Sequence, residues 1–122
     1  MSTYDPEDLP RKKLVDFHHF AALDLRVGVV THVEDFSEAR MEAWKVTVDF
    51  APDVGTLRTA AQEKNYDPDE LVGRRVVGAI NLGTKTIAGF ESQFLVLGGM
   101  DRDGAVRLLS VDEPVEPGAP VA

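Results

Sequence analysis

The sequence has 122 residues, of which 43% are hydrophobic and 28% are charged, and it contains no cysteine. This length predicts one domain with a single core, and the composition is that of a folded chain rather than a disordered one. With 21 acidic and 13 basic residues the formal net charge is -8, which excludes a uniformly basic surface that holds nucleic acid by bulk charge. The lack of cysteine excludes a disulfide framework, a thiolate metal site and a cysteine nucleophile.

Membrane and secretory signals are not found in the sequence. No apolar run approaches the ~18 residues that a bilayer-spanning helix needs. Residues 1–10 are acidic and lack the apolar core of a secretory signal. We therefore expect a protein that has no membrane partner and is located in the cytoplasm.

A short helix is predicted near the N-terminus, over residues 16–23. Asp16 is a suitable N-cap, because its side chain can accept a hydrogen bond from the first helical turn. Phe17, Phe20 and Ala21 recur at the spacing of one helical face, which predicts an apolar side to this helix.

A second helix lies between segments with strand patterning. Asp67 can cap it, Pro68 suits its first position, Glu70 can close a capping box, and Gly73 ends it. A turn at residues 101–104 joins the last two strands as a hairpin. Alternation of apolar and polar residues predicts six strands, at residues 25–33, 44–50, 56–61, 74–81, 91–98 and 105–111.

This order of elements predicts an all-β fold with short helices. Short strands with frequent glycine are typical of small barrels, and an OB-fold, a five-stranded Greek-key barrel, has its capping helix between the third and fourth strands. We expect that helix near residues 68–72, an N-terminal extension at residues 1–13, and one domain over residues 14–122. Residues 94–97 are apolar on both faces, which predicts an outer cover from the N-terminal helix or a second subunit.

No catalytic arrangement is indicated. His18 and His19 are adjacent in a predicted helix and point ~100° apart, and neither they nor His32 have acidic residues at metal-motif spacing. Residues 78–86 approach a phosphate-binding loop, but Thr84 separates the lysine from the glycine and a strand follows in place of a helix. We expect a non-enzymatic protein with no catalytic residue, metal site or cofactor.

An ordered set of short segments carries a resemblance to a known family. They read FAALDLRVG, SEAR, WKVTVDF, LVGRRVV, INLG, IAGF and LVLG, with Ser92 before the last. In their order and spacing they resemble the tRNA-binding domain family over about residues 16–120, with most similarity to its stand-alone dimeric members. The resemblance implies an OB-fold barrel, a homodimer and a protein that binds tRNA without catalysis.

The resemblance and the strand pattern together indicate candidate RNA-binding residues. A guanidinium suits a phosphate or a base edge, but Arg26 can instead form an ion pair with the neighbouring Asp24. Asn81 can read a base edge or hold the loop that follows it. The alternative for the basic candidates is that they are solvated surface charges with no role in binding. The full set of candidates is Arg26, Arg40, Lys45, Arg58, Asn81, Lys85 and Ser92.

Aromatic residues that could stack on bases are few. Phe36, Trp44 and Phe90 are the candidates, although Trp44 and Phe90 lie in apolar-patterned stretches that also predict burial. Residues 83–86 contain one base where members of the family often have more, and Glu63 adds an acid nearby. The sequence therefore predicts a binding groove with few basic residues.

Two functions of different classes remain open. An RNA-binding homodimer would hold structured tRNA through two weak sites acting together. An export-related chaperone would use an acidic rim and the neutral, apolar stretch at residues 81–100 to bind the basic and apolar segments of unfolded preproteins or peptides. The alternative interpretation is that this apolar stretch is buried in the core and in a dimer contact. The acidic excess also fits adaptation to a high-salt habitat.

Overall fold

The computed structural model describes residues 4–122, within which no helix is long and apolar enough to cross a membrane. A 3-10 turn at Pro6–Asp8 precedes α1 (Phe17–Ala21), and α2 (Pro68–Leu71) follows the third strand. In this part of the chain the strands are β1 (Leu25–Asp35), β2 (Trp44–Asp49), β3 (Thr56–Ala61), β4 (Arg75–Ala79), β5 (Lys85–Ile87), β6 (Phe90–Ser92), β7 (Leu95–Val96), β8 (Gly98–Met100) and β9 (Val106–Leu108).

Five strands form one antiparallel sheet in the order β3-β2-β1-β4-β7. The long β1 pairs with β4 along its first half and with β2 along its second, and a register shift between Val30 and His32 bends it. The outer strands then approach each other, and Gln93 N donates to Arg58 O at 2.8 Å. The sheet is therefore a nearly closed barrel, which confirms the predicted five-stranded OB-fold architecture.

The interior of the barrel is filled by the inward face of each strand. Val46 and Val48 are buried at alternate positions of β2, as the period of two predicts, and Val30 of β1 packs with them in the core. Phe50, directly after β2, is completely buried and meets the ring of Phe94 edge-on, with 5.1 Å between centroids. Edge-to-face aromatic contact adds stability beyond the area that is buried.

Gly28 of β1 lies where the ring of Phe50 crosses the strand. A Cβ atom on this residue would lie 2.8 Å from Phe50 Cε1 and closer still to Val48 Cγ1. Those two side chains are buried in the middle of the core and have no free space to move into. The glycine is therefore required by packing.

The capping helix is where the sequence predicts it. The Glu70 carboxylate accepts a hydrogen bond from the backbone N–H of Asp67 at 2.9 Å, which is the reciprocal half of a capping box. Leu71 is 2% exposed and packs into the barrel core, so it closes one end of the barrel. Gly73 ends the turn at a φ of 87°, in the left-handed region.

The prediction of one strand over residues 91–98 is wrong, because this stretch is divided among β6, β7 and β8. The chain reverses at Ala88 and Gly89, both at positive φ, so that β6 pairs with the unpredicted β5. Next, β7 joins β4 in the barrel and β8 pairs with β9. The apolar pattern is continuous, but its pairing partner changes twice.

The hairpin turn predicted at residues 101–104 is present. The Asp101 carboxylate accepts hydrogen bonds from the backbone N–H groups of Asp103 and Ala105, both at 3.0 Å. The strand that follows, β9, is shorter than the predicted 105–111, because Ser110 and its neighbours turn toward β4, where Ser110 Oγ donates to Arg75 O at 2.8 Å.

The C-terminal segment returns along β1. Gly118 N donates to Val27 O at 2.7 Å, and Val27 N in turn donates to Ala119 O at 2.9 Å. Val121 N adds a bond of 2.9 Å to Leu25 O. This segment thus satisfies backbone groups on the part of β1 that β2 leaves free.

The N-terminal helix exposes its apolar residues. All of residues 5–23 are exposed, and Leu14 and Phe17 are 92% and 77% exposed. Asp16 precedes the helix as predicted, but its side chain makes no capping bond. Leu95 of β7 is 52% exposed as well, so α1 is not the cover that the apolar stretch at residues 94–97 was expected to need.

Glu63 is an acidic side chain at the mouth of the barrel. It continues the inward alternation of Thr59 and Ala61 past the end of β3 and is 5% exposed. Its Oε2 atom has no hydrogen-bond partner among residues 4–122. Burial raises the pKa of the Glu63 carboxyl above its ordinary value, since a carboxylate loses its hydration there.

Gly28→Ala should destabilise the barrel by about 1–3 kcal/mol, the usual effect of an overpacked core. The added methyl group collides with Val48 and Phe50. Urea unfolding measures the change, and Gly99→Ala is the matched control, because a Cβ there has no neighbour within 4 Å. Equal stabilities for the two variants would contradict this account of Gly28.

Glu63→Gln should stabilise the protein at pH 7 by on the order of 1 kcal/mol, because a buried carboxylate with an unpaired oxygen costs more than an amide. A raised pKa means that the stability from Glu63 is fully present below its unfolded pKa and is lost as the pH rises through the folded pKa. The advantage of the variant should therefore vanish below pH 4.5. Tm measured across pH tests this, with exposed Glu91→Gln as the control; a constant difference at all pH values would refute it.

Candidate nucleic-acid interface

Two grooves run side by side over β3 and the β5–β6 hairpin. The larger, which we call the loop groove, has a volume of about 620 Å³ and faces the loop between β1 and β2. The smaller, the barrel groove, has a volume of about 470 Å³ and faces β6 and β7. Residues common to both grooves are Ala60, Gln62, Lys85 and Ile87.

Arg40 and Lys85 are cations on the loop groove that have no ion-pair partner among the described residues. Both side chains are exposed. Arg40 is placed by the loop after β1, and Lys85 begins β5, where it is paired with Ser92 of β6. Because Lys85 also lines the barrel groove, its charge acts on both grooves.

Lys45 and Arg58 lie over a pair of phenylalanine rings that contact each other at a tilt. The rings of Phe36 and Phe90 are 5.2 Å apart, and both residues are buried. Lys45 Nζ is 4.9 Å from the centroid of Phe36, and Arg58 Cζ is 4.7 Å from that of Phe90. These cation–π contacts hold the two charges beside the grooves. The phenylalanines serve as support for the cations, and their burial removes them as stacking platforms for bases.

The same two cations have acidic neighbours. Arg58 donates to Glu34 at 2.8 Å, and Lys45 lies 4.0 Å from Glu38. Glu34, Glu38 and Arg58 are exposed and Lys45 is half-buried, and ion pairs at a surface are worth roughly 0–1 kcal/mol each, because water screens them. A phosphate group can therefore take the place of either carboxylate at little cost.

Lys64 forms a third acid-paired site, which the sequence did not predict. Its Nζ is 2.6 Å from Asp35 and 3.6 Å from the centroid of Trp44. The hydrogen bond from Lys64 lowers the pKa of the Asp35 carboxyl. Trp44 itself donates from Nε1 to Tyr66 O at 3.2 Å, so this ring is covered by Lys64 and anchored at its edge. Sequence patterns could not indicate this site, because its residues come from β1, β2 and the segment after β3 and meet only in the folded barrel.

Ser92 closes the barrel beneath the grooves. Its Oγ accepts a hydrogen bond from Ala60 N at 3.1 Å and lies 3.1 Å from Thr59 Oγ1. Thr59 Oγ1 in turn donates to Phe94 O at 2.8 Å. The hydroxyl thus attaches the β5–β6 hairpin to β3, which sets the position of Lys85.

Arg26 and Asn81 lie apart from this cluster. Arg26 donates to Asp24 at 2.6 Å and to Gly118 O at 3.2 Å. The ion pair with Asp24, which was the alternative to RNA contact, is therefore present. Asn81 accepts from Asp24 N at 2.8 Å and donates to Ala22 O at 2.9 Å. It holds the junction between α1 and β1, rather than the loop that follows it. The structure therefore brings together Arg40, Lys45, Arg58, Lys85 and Ser92, and not these two residues.

Comparison with known proteins places this geometry in context. Residues 25–120 match the family model described as a putative tRNA binding domain. The methionine–tRNA ligase of Pyrococcus furiosus is 37% identical over 111 residues, which are 91% of this chain and 15% of that enzyme. The chain thus spans about 15% of the length of this curated relative.

Two solved structures share the fold over their whole length. The CsaA chaperone protein from Picrophilus torridus has a TM-score of 0.85 and 38% identity, covering 89% of this chain and 100% of that chain. The chaperone CsaA from Bacillus anthracis has a TM-score of 0.84 and 39% identity, covering 90% and 100%. With the family match over residues 25–120 and this shared barrel, the chain belongs to the tRNA-binding domain family.

Proposed function

We propose that this chain binds tRNA through the face formed by the two grooves, with Arg40, Lys45, Arg58 and Lys85 contacting phosphates. The observation that carries the proposal is the pair Arg40 and Lys85, two exposed cations without acidic partners in residues 4–122, on the loop groove of a tRNA-binding-family barrel. OB barrels bind nucleic acids on a strand face and its flanking loops. We assign Ser92, Asn81 and Arg26 to the scaffold of this face.

We also propose that the chain acts by binding and not by catalysis, in the cytoplasm, where tRNA is used. Phosphate contacts by lysine and arginine position an RNA without chemical change. The functional domain in this proposal is residues 14–122, and residues 1–13 are an extension to it.

Homodimerisation is a further part of the proposal. Phe17 of α1 and Leu95 of β7 expose large apolar surfaces that nothing in residues 4–122 covers. A second copy is the partner we infer for them, since burying such patches is favourable and two tRNA sites joined in one particle gain avidity.

The dimer is tested by sedimentation equilibrium at micromolar concentration. We expect a dimer for the unmodified chain and a shift toward monomer for Phe17→Ser and Leu95→Ser, because each removes apolar contact area. Val72→Ser, at a similarly exposed apolar residue directly after α2, is the control and should remain dimeric. A monomeric unmodified chain would end this part of the proposal.

RNA binding is tested by the salt dependence of tRNA affinity. Replacing Arg40 and Lys85 together with glutamine should weaken binding and reduce the slope of log K against log salt by roughly 2, about 1 for each phosphate contact. The matched control is the double variant Arg102→Gln, Arg107→Gln on the β8–β9 hairpin, which loses the same charge at residues that line neither groove. No binding at low salt, or equal slopes in the two variants, would contradict the proposal.

A chaperone for unfolded preproteins or peptides is the second candidate. It is favoured by the two solved structures named as CsaA chaperones and by the exposed Leu82 and Leu95 on the wall of the barrel groove. In this case, the chain should suppress the heat-induced aggregation of an unrelated protein, and Leu82→Ser should reduce that suppression. A flat result at stoichiometric excess would rule the chaperone out.

A further inference from the structure

The barrel groove is lined in part by a buried carboxyl group, that of Glu63, one of whose two oxygens is unpaired within the described part of the chain. Glu63 stands in the wall between this groove and the barrel interior and is 5% exposed. Its Oε2 atom has no hydrogen-bond partner among residues 4–122. Buried polar atoms are nearly always paired, so an unpaired one beside a groove points to a donor that arrives with a ligand.

The walls of the barrel groove suit a flat ring with a polar edge. Leu82 and Ile87 supply apolar side walls, and Glu63 lies at the base. The volume of about 470 Å³ is ample for one nucleotide. Proteins that read single-stranded RNA hold splayed bases in this manner, with the ring against side chains and the base edge hydrogen-bonded at the floor.

The charges around the groove select among ligands. Lys85 Nζ belongs to the same groove and has no acidic partner in the described chain, so it attracts the phosphate of a nucleotide. A lysine or arginine of a peptide would have to pass this ammonium group to reach Glu63. A nucleotide complements both groups at once, with its phosphate at Lys85 and a base edge at Glu63.

We propose that the barrel groove receives one unstacked RNA base that carries an exocyclic amine, and that Glu63 is the residue that selects it. A carboxylate accepts a hydrogen bond from the amine of cytosine, adenine or guanine, whereas uracil presents a carbonyl oxygen at the corresponding edge. The amine also relieves the cost of a buried, unpaired carboxylate. The inference rests on the proposed RNA-binding function and adds a base preference to it.

The test uses fluorescence anisotropy of the full chain with labelled oligoribonucleotides at low salt. The probes are U7 and three heptamers with a central cytosine, adenine or guanine in the same background. We expect at least one substituted heptamer to bind about fivefold or more tightly than U7, the lower end of a good base-edge contact. Glu63→Leu, which removes the acceptor, should abolish that preference.

Controls separate the inference from the function on which it rests. Exposed Glu91 on β6 lies outside both grooves, so Glu91→Leu should keep the base preference. Circular dichroism confirms that each variant is folded, and Glu63→Gln supplies a second, nearly isosteric variant whose preference should be reduced.

Three results would overturn the inference. One is equal affinity of the unmodified chain for all four heptamers while salt-dependent tRNA binding persists, which would leave the proposed function intact. Another is an unchanged preference in Glu63→Leu. The third is a basic, apolar peptide that binds the unmodified chain, loses affinity in Glu63→Leu and displaces no oligonucleotide, which would assign the groove to peptides.

Discussion

The hydrogen bonds between β3 and residues 92–94 close the barrel along the edge where the strand ladder stops. Gln93 N bonds to Arg58 O at 2.8 Å, and the hydroxyl groups of Thr59 and Ser92 continue the same connection. Both grooves lie over this connection, because one wall comes from β3 and the other from the β5–β6 hairpin. The position of Lys85 relative to Arg58 therefore depends on a few separate backbone and side-chain hydrogen bonds instead of a continuous sheet.

Local patterns predicted the parts of the fold that local chemistry determines. β2 begins at Trp44, where the alternation of apolar and polar residues predicts it, and α2 begins where the capping box of Asp67 and Glu70 predicts it. The same approach failed for residues 91–98. An apolar run does not reveal that the strand paired with it changes from β5 to β4 to β9. Pairing partners are tertiary information, and periodicity carries only the local part of it.

The candidate site shows the same division. Resemblance indicated Lys85 and Ser92 by position, yet the role of Ser92 as a joint between β3 and β6 depends on residues more than thirty positions away. Glu63 was recognised as a nearby acid, but its burial was not predicted, because it continues the inward alternation of β3 after the strand has ended. Long-range closure of the barrel decides both cases.

Under the proposed RNA-binding function, the carboxylates beside Lys45 and Arg58 would affect how an RNA and this protein find each other. At a distance each ion pair is neutral, so the approaching RNA meets a protein of net charge -8 with few attracting groups. Attraction begins only within about 8 Å, the screening length at physiological ionic strength. At that range a phosphate competes directly with Glu34 or Glu38 for its cation. A face of this kind would favour slow encounters and select ligands by shape, because only an RNA whose backbone fits the grooves would come close enough to be held.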